Sequence, residues 1–147
     1  MSEYSFATEA TSSAPPDVVF AVLADATRWK DWAGWFMRES FWEREGDPRP
    51  GGVGAVKRLG AKPVYSREET LDYDPPRHYA YSILSGPPVK GYRADVDLTP
   101  VDGGTHIRWA FRFEPKLPGT GALMRFYLGR VVAGLARRLA AHAARPL

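Results

Sequence analysis

Apolar and polar residues alternate along most of the first three quarters of the chain, then switch to a three- and four-residue spacing near its end. Tyr4, Phe6, Thr8 and Ala10 fall on one parity and Glu3, Ser5, Ala7, Glu9 and Thr11 on the other. That predicts a first strand over residues 3–11 with one face buried. The run Ser12-Ser13-Ala14-Pro15-Pro16-Asp17 breaks it. Ser13 or Ala14 suits an N-cap, the prolines fit a first turn, and Asp17 suits a positive helix end. Val18, Val19, Val22 and Leu23 then make a short amphipathic helix that ends near Asp25. Residues 28–36 read as a second short helix or turn that carries Trp29, Trp32 and Trp35.

Strand patterns resume over 37–45, 53–59, 64–74, 78–84, 92–99 and 105–114. The intervening runs 46–52, 60–63, 74–77, 85–88 and 101–104 are rich in Gly, Pro and Asp, the residues that turns select. Asp102-Gly103 is a strong hairpin signal. From Gly119 to Arg145 the stripe Leu128, Val131, Val132, Leu135 and Leu139 predicts one long helix flanked by arginines. The fold expected is α+β: a seven-stranded antiparallel sheet, because its connections are hairpin-length, with two short helices and one long C-terminal helix laid across it. Where such a helix does not fill the groove of a curved sheet, a cavity remains.

At 147 residues the chain suits one domain, spanning 1–147. Its 44% hydrophobic and 25% charged content is ordinary for a soluble protein, and no apolar run reaches transmembrane length. Met1-Ser2-Glu3-Tyr4 lacks the basic and apolar regions of a secretory leader, and there are no cysteines. A cytoplasmic location is expected. The net charge of +3 is spread among 17 acidic residues, which argues against nucleic acid as a partner.

The element order, together with four motifs, resembles the SRPBCC superfamily, also called START-like or Bet v 1-like, and within it the polyketide cyclase/dehydrase branch. The motifs are Ala14-Pro15-Pro16-Asp17-Val18-Val19-Phe20, Asp25-Ala26-Thr27-Arg28-Trp29-Lys30-Asp31-Trp32, Asp74-Pro75-Pro76-Arg77, and Gly103-Gly104-Thr105-His106-Ile107-Arg108-Trp109. The resemblance covers essentially the whole chain and implies the helix-grip fold. It implies a small hydrophobic ligand, aromatic or polyketide-like, held between sheet and closing helix. Three functions stay open: a cofactor-independent cyclase, aromatase or dehydratase; a non-catalytic lipid or quinone carrier; and a regulatory protein-interaction module, which would have a small or filled cavity. Fold alone does not choose among them.

Side-chain chemistry narrows the candidates. Leu71 and Tyr73 share parity with Tyr65, Arg67 and Glu69. If Leu71 points inward, Arg67 is placed to hold an enolate or carboxylate oxygen and Glu69 to act as a general base. The alternatives are a bulge that shifts the register, or a pair bridging at the wet rim. Trp32, Trp35 and Phe36 are candidates for the cavity mouth, with a hydrophobic plug as the alternative. Tyr65, Tyr81 and Tyr92 are candidate hydroxyl donors; Trp109 and Phe111 lie on the inward parity of the last strand, and Met124 and Leu128 face inward from the closing helix. No two of His78, His106 and His142 have metal-ligand spacing, and no phosphate-binding or nucleophile-elbow motif occurs, so neither a cofactor nor a metal is expected. Monomer and homodimer stay equally open.

Overall fold

The computed structural model describes residues 3–145. Strand β1 (Tyr4–Ser12) leads into α1 (Pro16–Ala24), a 3-10 turn (Ala26–Arg28) and α2 (Trp29–Trp32). Strands β2 (Glu39–Arg44), β3 (Val56–Ala61), β4 (Val64–Asp74), β5 (His78–Ser85), β6 (Val89–Val101) and β7 (Gly104–Pro115) follow, and α3 (Gly121–Ala143) closes the chain. All seven strands form one antiparallel sheet in the order β1-β7-β6-β5-β4-β3-β2, so the helices α1 and α2 carry the chain from one edge of the sheet to the other. This is the expected helix-grip architecture.

Local chemistry accounts for most boundaries. Helix α1 starts at Pro16 with Pro15 at the N-cap, slightly later than the Ser13/Ala14 cap expected, because a proline ring already supplies the φ of the first turn. The β6–β7 hairpin turns at Asp102-Gly103, where Gly103 takes φ +81°, a conformation without steric penalty only for glycine. Strand β3 begins at Val56 rather than at 53, because residues 51–54 are taken up by a glycine-rich turn.

The inner face of the sheet carries the core. Ile107, Trp109, Phe111 and Phe113 of β7 and Tyr92, Ala94, Val96 and Leu98 of β6 are all buried, as the alternation predicts. Against them pack α1, through Val19, Phe20, Val22 and Leu23, and α3, through Leu128, Val132, Leu135 and Leu139. Helix α3 lies mainly along β1 and β7. Its C-terminal half is fastened there by Ser12 Oγ, which donates to the Ala140 carbonyl at 2.7 Å; separately, Thr105 Oγ1 of β7 ties down the segment before α1 by donating to the Ala14 carbonyl at 2.7 Å. The β3–β5 side of the sheet is left without a helix pressed onto it.

Strand β4 departs from simple alternation. Thr70 pairs with Tyr81 but Asp72 pairs with Ala80, so Leu71 is an extra residue opposite a single step of β5. Such a bulge resets which parity faces inward. Downstream of it Tyr73 points into the core, edge-on to Phe20 with ring centroids 5.3 Å apart. Upstream the buried positions are Glu68 and Thr70.

Candidate functional site

The uncovered half of the sheet encloses a cavity of about 620 Å³ beneath the N-terminal half of α3. Met124, Tyr127, Leu128, Val131 and Val132 of α3 form one wall. Leu59 of β3, Ser66 and Glu68 of β4, Tyr81 and Ile83 of β5 and Tyr92 of β6 form the floor. Phe36 and Met37, the β3–β4 hairpin at Ala61, Val64 and Tyr65, and the β5–β6 connection at Gly86-Pro87-Pro88 surround the opening. The lining is mostly apolar and aromatic, with a few polar groups, which is the usual make-up of a small-molecule site of this size.

The polar groups converge on one place in the floor. Lys57 and Glu68 stand directly opposite each other on β3 and β4, both turned inward and both buried. Glu68 is the charged residue in the cavity wall; Lys57 lies behind it. The Lys57 ammonium is 3.6 Å from Glu68 Oε1 and donates to Tyr79 Oη at 2.9 Å. It also lies 4.3 Å from the Trp29 ring centroid and 4.7 Å from that of Tyr81, so aromatic faces replace part of its lost hydration. Tyr79 Oη sits 3.2 Å from Thr70 Oγ1, which extends the network along β4. Glu68 Oε1 is buried and has no hydrogen-bond partner. Burial pushes the Glu68 carboxyl above its ordinary pKa, and the Lys57 charge pulls against that rise.

Two phenols flank the carboxyl. Tyr81 Oη accepts from Trp109 Nε1 at 3.2 Å, and the Tyr92 phenol lies beside it, with ring centroids 6.2 Å apart. Burial, followed by the neighbouring phenol and Glu68, pushes Tyr81 well above the normal tyrosine range; burial and then Glu68 push Tyr92 up as well. Both stay protonated at any ordinary pH and serve as hydrogen-bond donors.

Of the residues expected at the site from sequence, Phe36, Tyr65, Tyr81, Tyr92, Met124 and Leu128 line the cavity. Tyr65 does so at the rim, its hydroxyl paired with Glu39 on the other face of the sheet. Trp109 and Phe111 are one layer deeper: Trp109 holds Tyr81, and Phe111 stacks on Tyr92 at 5.4 Å. Trp32 is buried against Trp29, with centroids 4.8 Å apart, and belongs to the plug between helix and sheet. Trp35 is 85% exposed, edge-on to Phe36, outside the opening.

Arg67 and Glu69 are not in the cavity wall, and the expectation that they face inward is corrected. The bulge at Leu71 puts them on the opposite face of the sheet from Glu68. There Arg67 makes a two-pronged contact with Glu43, Nε to Oε1 at 2.8 Å and Nη2 to Oε2 at 2.7 Å, and Arg58 Nε adds a third bond at 2.7 Å. The bonds from Arg67 and then Arg58 hold the Glu43 carboxyl down to about 2. Glu69 meets Arg44 at 3.3 Å. Both are cross-strand bridges. What sequence reasoning missed is the neighbouring pair Lys57 and Glu68; Lys57 shares parity with Leu59, and that was the available signal.

Among the described residues no group of His, Asp and Glu is arranged to hold a metal ion, and no helix is long and apolar enough to cross a membrane. Residues 3–144 match the family model described as polyketide cyclase / dehydrase and lipid transport. No curated protein is a significant match by sequence. Solved structures with the same fold include the ZhuI aromatase/cyclase from Streptomyces sp. R1128, at TM-score 0.79 and 20% identity over 98% of this chain and 95% of that one. A protein from Nitrosospira multiformis matches at TM-score 0.70 and 18% identity over 97% and 100%. Ara h 8.0201 matches at TM-score 0.67 and 20% identity over 97% and 98%.

Proposed function

The chain belongs to the polyketide cyclase / dehydrase and lipid transport family of the SRPBCC superfamily, and from that premise we propose that it binds a small, mainly apolar molecule between sheet and closing helix. The observation that carries this reading is the 620 Å³ cavity itself, walled by Phe36, Tyr81, Tyr92, Met124 and Leu128, with its few polar groups gathered at one end. A well-packed interior of this size leaves few voids larger than a water molecule. A void many times larger, rimmed by half-exposed apolar residues, is retained at a cost in packing, and occupancy by a ligand offsets that cost.

The reading extends to one polar function on the ligand. An apolar wall binds by area and discriminates weakly, whereas convergent donors and acceptors fix orientation. In this reading Tyr81, Tyr92 and Glu68 contact one polar end of a molecule whose remaining surface meets α3; their presence in one cavity wall supports it. The likeness to an aromatase/cyclase concerns the fold, at 20% identity.

The test is titration with a neutral apolar fluorophore, N-phenylnaphthylamine, against wild type and Leu128→Trp. Wild type is expected to bind one equivalent saturably. The indole of Leu128→Trp projects into the cavity and is expected to weaken binding at least tenfold, with folding unchanged by circular dichroism. No saturable binding by wild type, or equal binding by the folded variant, overturns the proposal.

A further inference from the structure

Resting on that reading of the cavity, we propose that it selects an aromatic molecule bearing a hydroxyl group whose O–H donates to the Glu68 carboxylate, with Lys57 as the residue that positions that carboxylate. The geometry is specific. Glu68 is the charged residue in the cavity wall; its Oε1 is turned back toward Lys57 and closed off, and no described residue donates a hydrogen bond to its other oxygen, Oε2. Lys57 Nζ, at 3.6 Å from Oε1, balances the charge but is too far to fill a lone pair, and its short bond goes to Tyr79 instead. A carboxylate oxygen in an apolar wall with no donor on it is costly relative to a satisfied one. The group that fills it must come from the cavity side and must be a donor.

The surroundings say what carries that donor. Phe36, Tyr81, Tyr92 and Tyr127 present aromatic surface on several sides of the space in front of Glu68, which suits a flat ring system. A second cation is not called for, because Lys57 already neutralises the carboxylate. A neutral O–H meets the need with no further charge to desolvate. The neighbouring phenols Tyr81 and Tyr92 line the same cavity and meet a second oxygen on the ring. Burial alone favours the protonated acid; a donor on the carboxylate adds to Lys57 in favouring the charged form. A site built this way rejects the analogue lacking the hydroxyl, since the floor then keeps its unpaired oxygen.

Three ligands of nearly one shape test this: naphthalene, 2-naphthol and 2-methoxynaphthalene, titrated calorimetrically into the full chain at neutral pH. The methyl ether keeps the oxygen as an acceptor and removes only the donor. We expect naphthol to bind about tenfold or more tighter than either of the others. If naphthalene and the ether bind and naphthol gains nothing, the donor-to-Glu68 assignment is overturned while the cavity reading stands. If none binds, both fall. The double variant Lys57→Met with Glu68→Leu, which leaves no unpaired charge behind, is expected to bind naphthalene at least as tightly as wild type and to lose the naphthol preference. A preference that survives in that folded variant places the acceptor elsewhere and overturns the assignment. Glu68→Gln, which keeps a neutral acceptor at the same place, is expected to retain part of the preference.

Discussion

Lys57 is the residue on which the floor of the cavity depends. It is a fully buried cation held by one carboxylate, one phenol and the faces of Trp29 and Tyr81. Removing one member of such a pair strands the other, whereas replacing both with apolar groups of similar volume is often neutral or stabilising. Lys57→Met is therefore expected to lower the unfolding free energy by about 3–5 kcal/mol, and Lys57→Met with Glu68→Leu to recover most of it. Urea unfolding with an unchanged slope measures both. A single substitution that costs no more than an ordinary surface change, about 0.5 kcal/mol, would show that the two charges are not coupled. Lys57 shares parity with Leu59, but the role of Glu68 was not legible in the sequence for a physical reason. Charged residues in a strand read as its solvent side, and the parity of β4 was carried back from Leu71 and Tyr73 across a bulge that no residue type announces. Arg67 and Glu69 thus took the place that the backbone gives to Glu68.

At the scale of elements the sequence was far more informative. Alternation marks a one-sided strand whatever its neighbours do, and Gly, Pro and Asp mark where it must stop, so all seven strands and α3 were recoverable within a few residues. The aromatic and apolar lining at Phe36, Tyr81, Tyr92, Met124 and Leu128 followed from the same periodicity. What periodicity does not encode is depth: Trp32 and Trp35 are three residues apart, yet one is buried and the other 85% exposed, because the turn after α2 carries Trp35 away from the sheet. Helix α3 holds a second contrast of this kind. A Cβ on Gly121 would fall 2.0 Å from the Tyr4 ring, which is itself stacked on Phe113. One on Gly134 would meet only the tip of the Arg138 side chain, at 2.6 Å. Gly134→Ala is expected to stabilise by up to about 1 kcal/mol, through helix propensity, once that flexible tip moves aside. Gly121→Ala is expected to destabilise by about 1–3 kcal/mol, because a packed ring must shift. Thermal unfolding of the two variants should show shifts of opposite sign; two shifts of the same sign would mean that helix start and helix middle are packed alike.

The cavity is a property of the whole molecule, because no single element makes it. Helix α3 is fastened along β1 and β7 by its C-terminal half, while the sheet curves on through β5, β4 and β3, and the space between is closed only by loops. Filling that space and occupying it with a ligand are alternative ways of recovering the same lost contacts, so they should compete. Val132 is buried in α3 and its side chain borders the cavity, so Val132→Phe directs a ring into it without disturbing the surface. Cavity filling of this kind commonly adds about 0.5–2 kcal/mol to the ligand-free protein. A ligand that binds only the folded state adds about 2.7 kcal/mol at a hundred times its dissociation constant. Wild type should therefore melt at a higher temperature in saturating 2-naphthol. Val132→Phe should melt higher than wild type without ligand, and ligand should then move it little. A variant that is less stable than wild type yet still gains the full increment from ligand would place the binding site somewhere other than between α3 and the sheet.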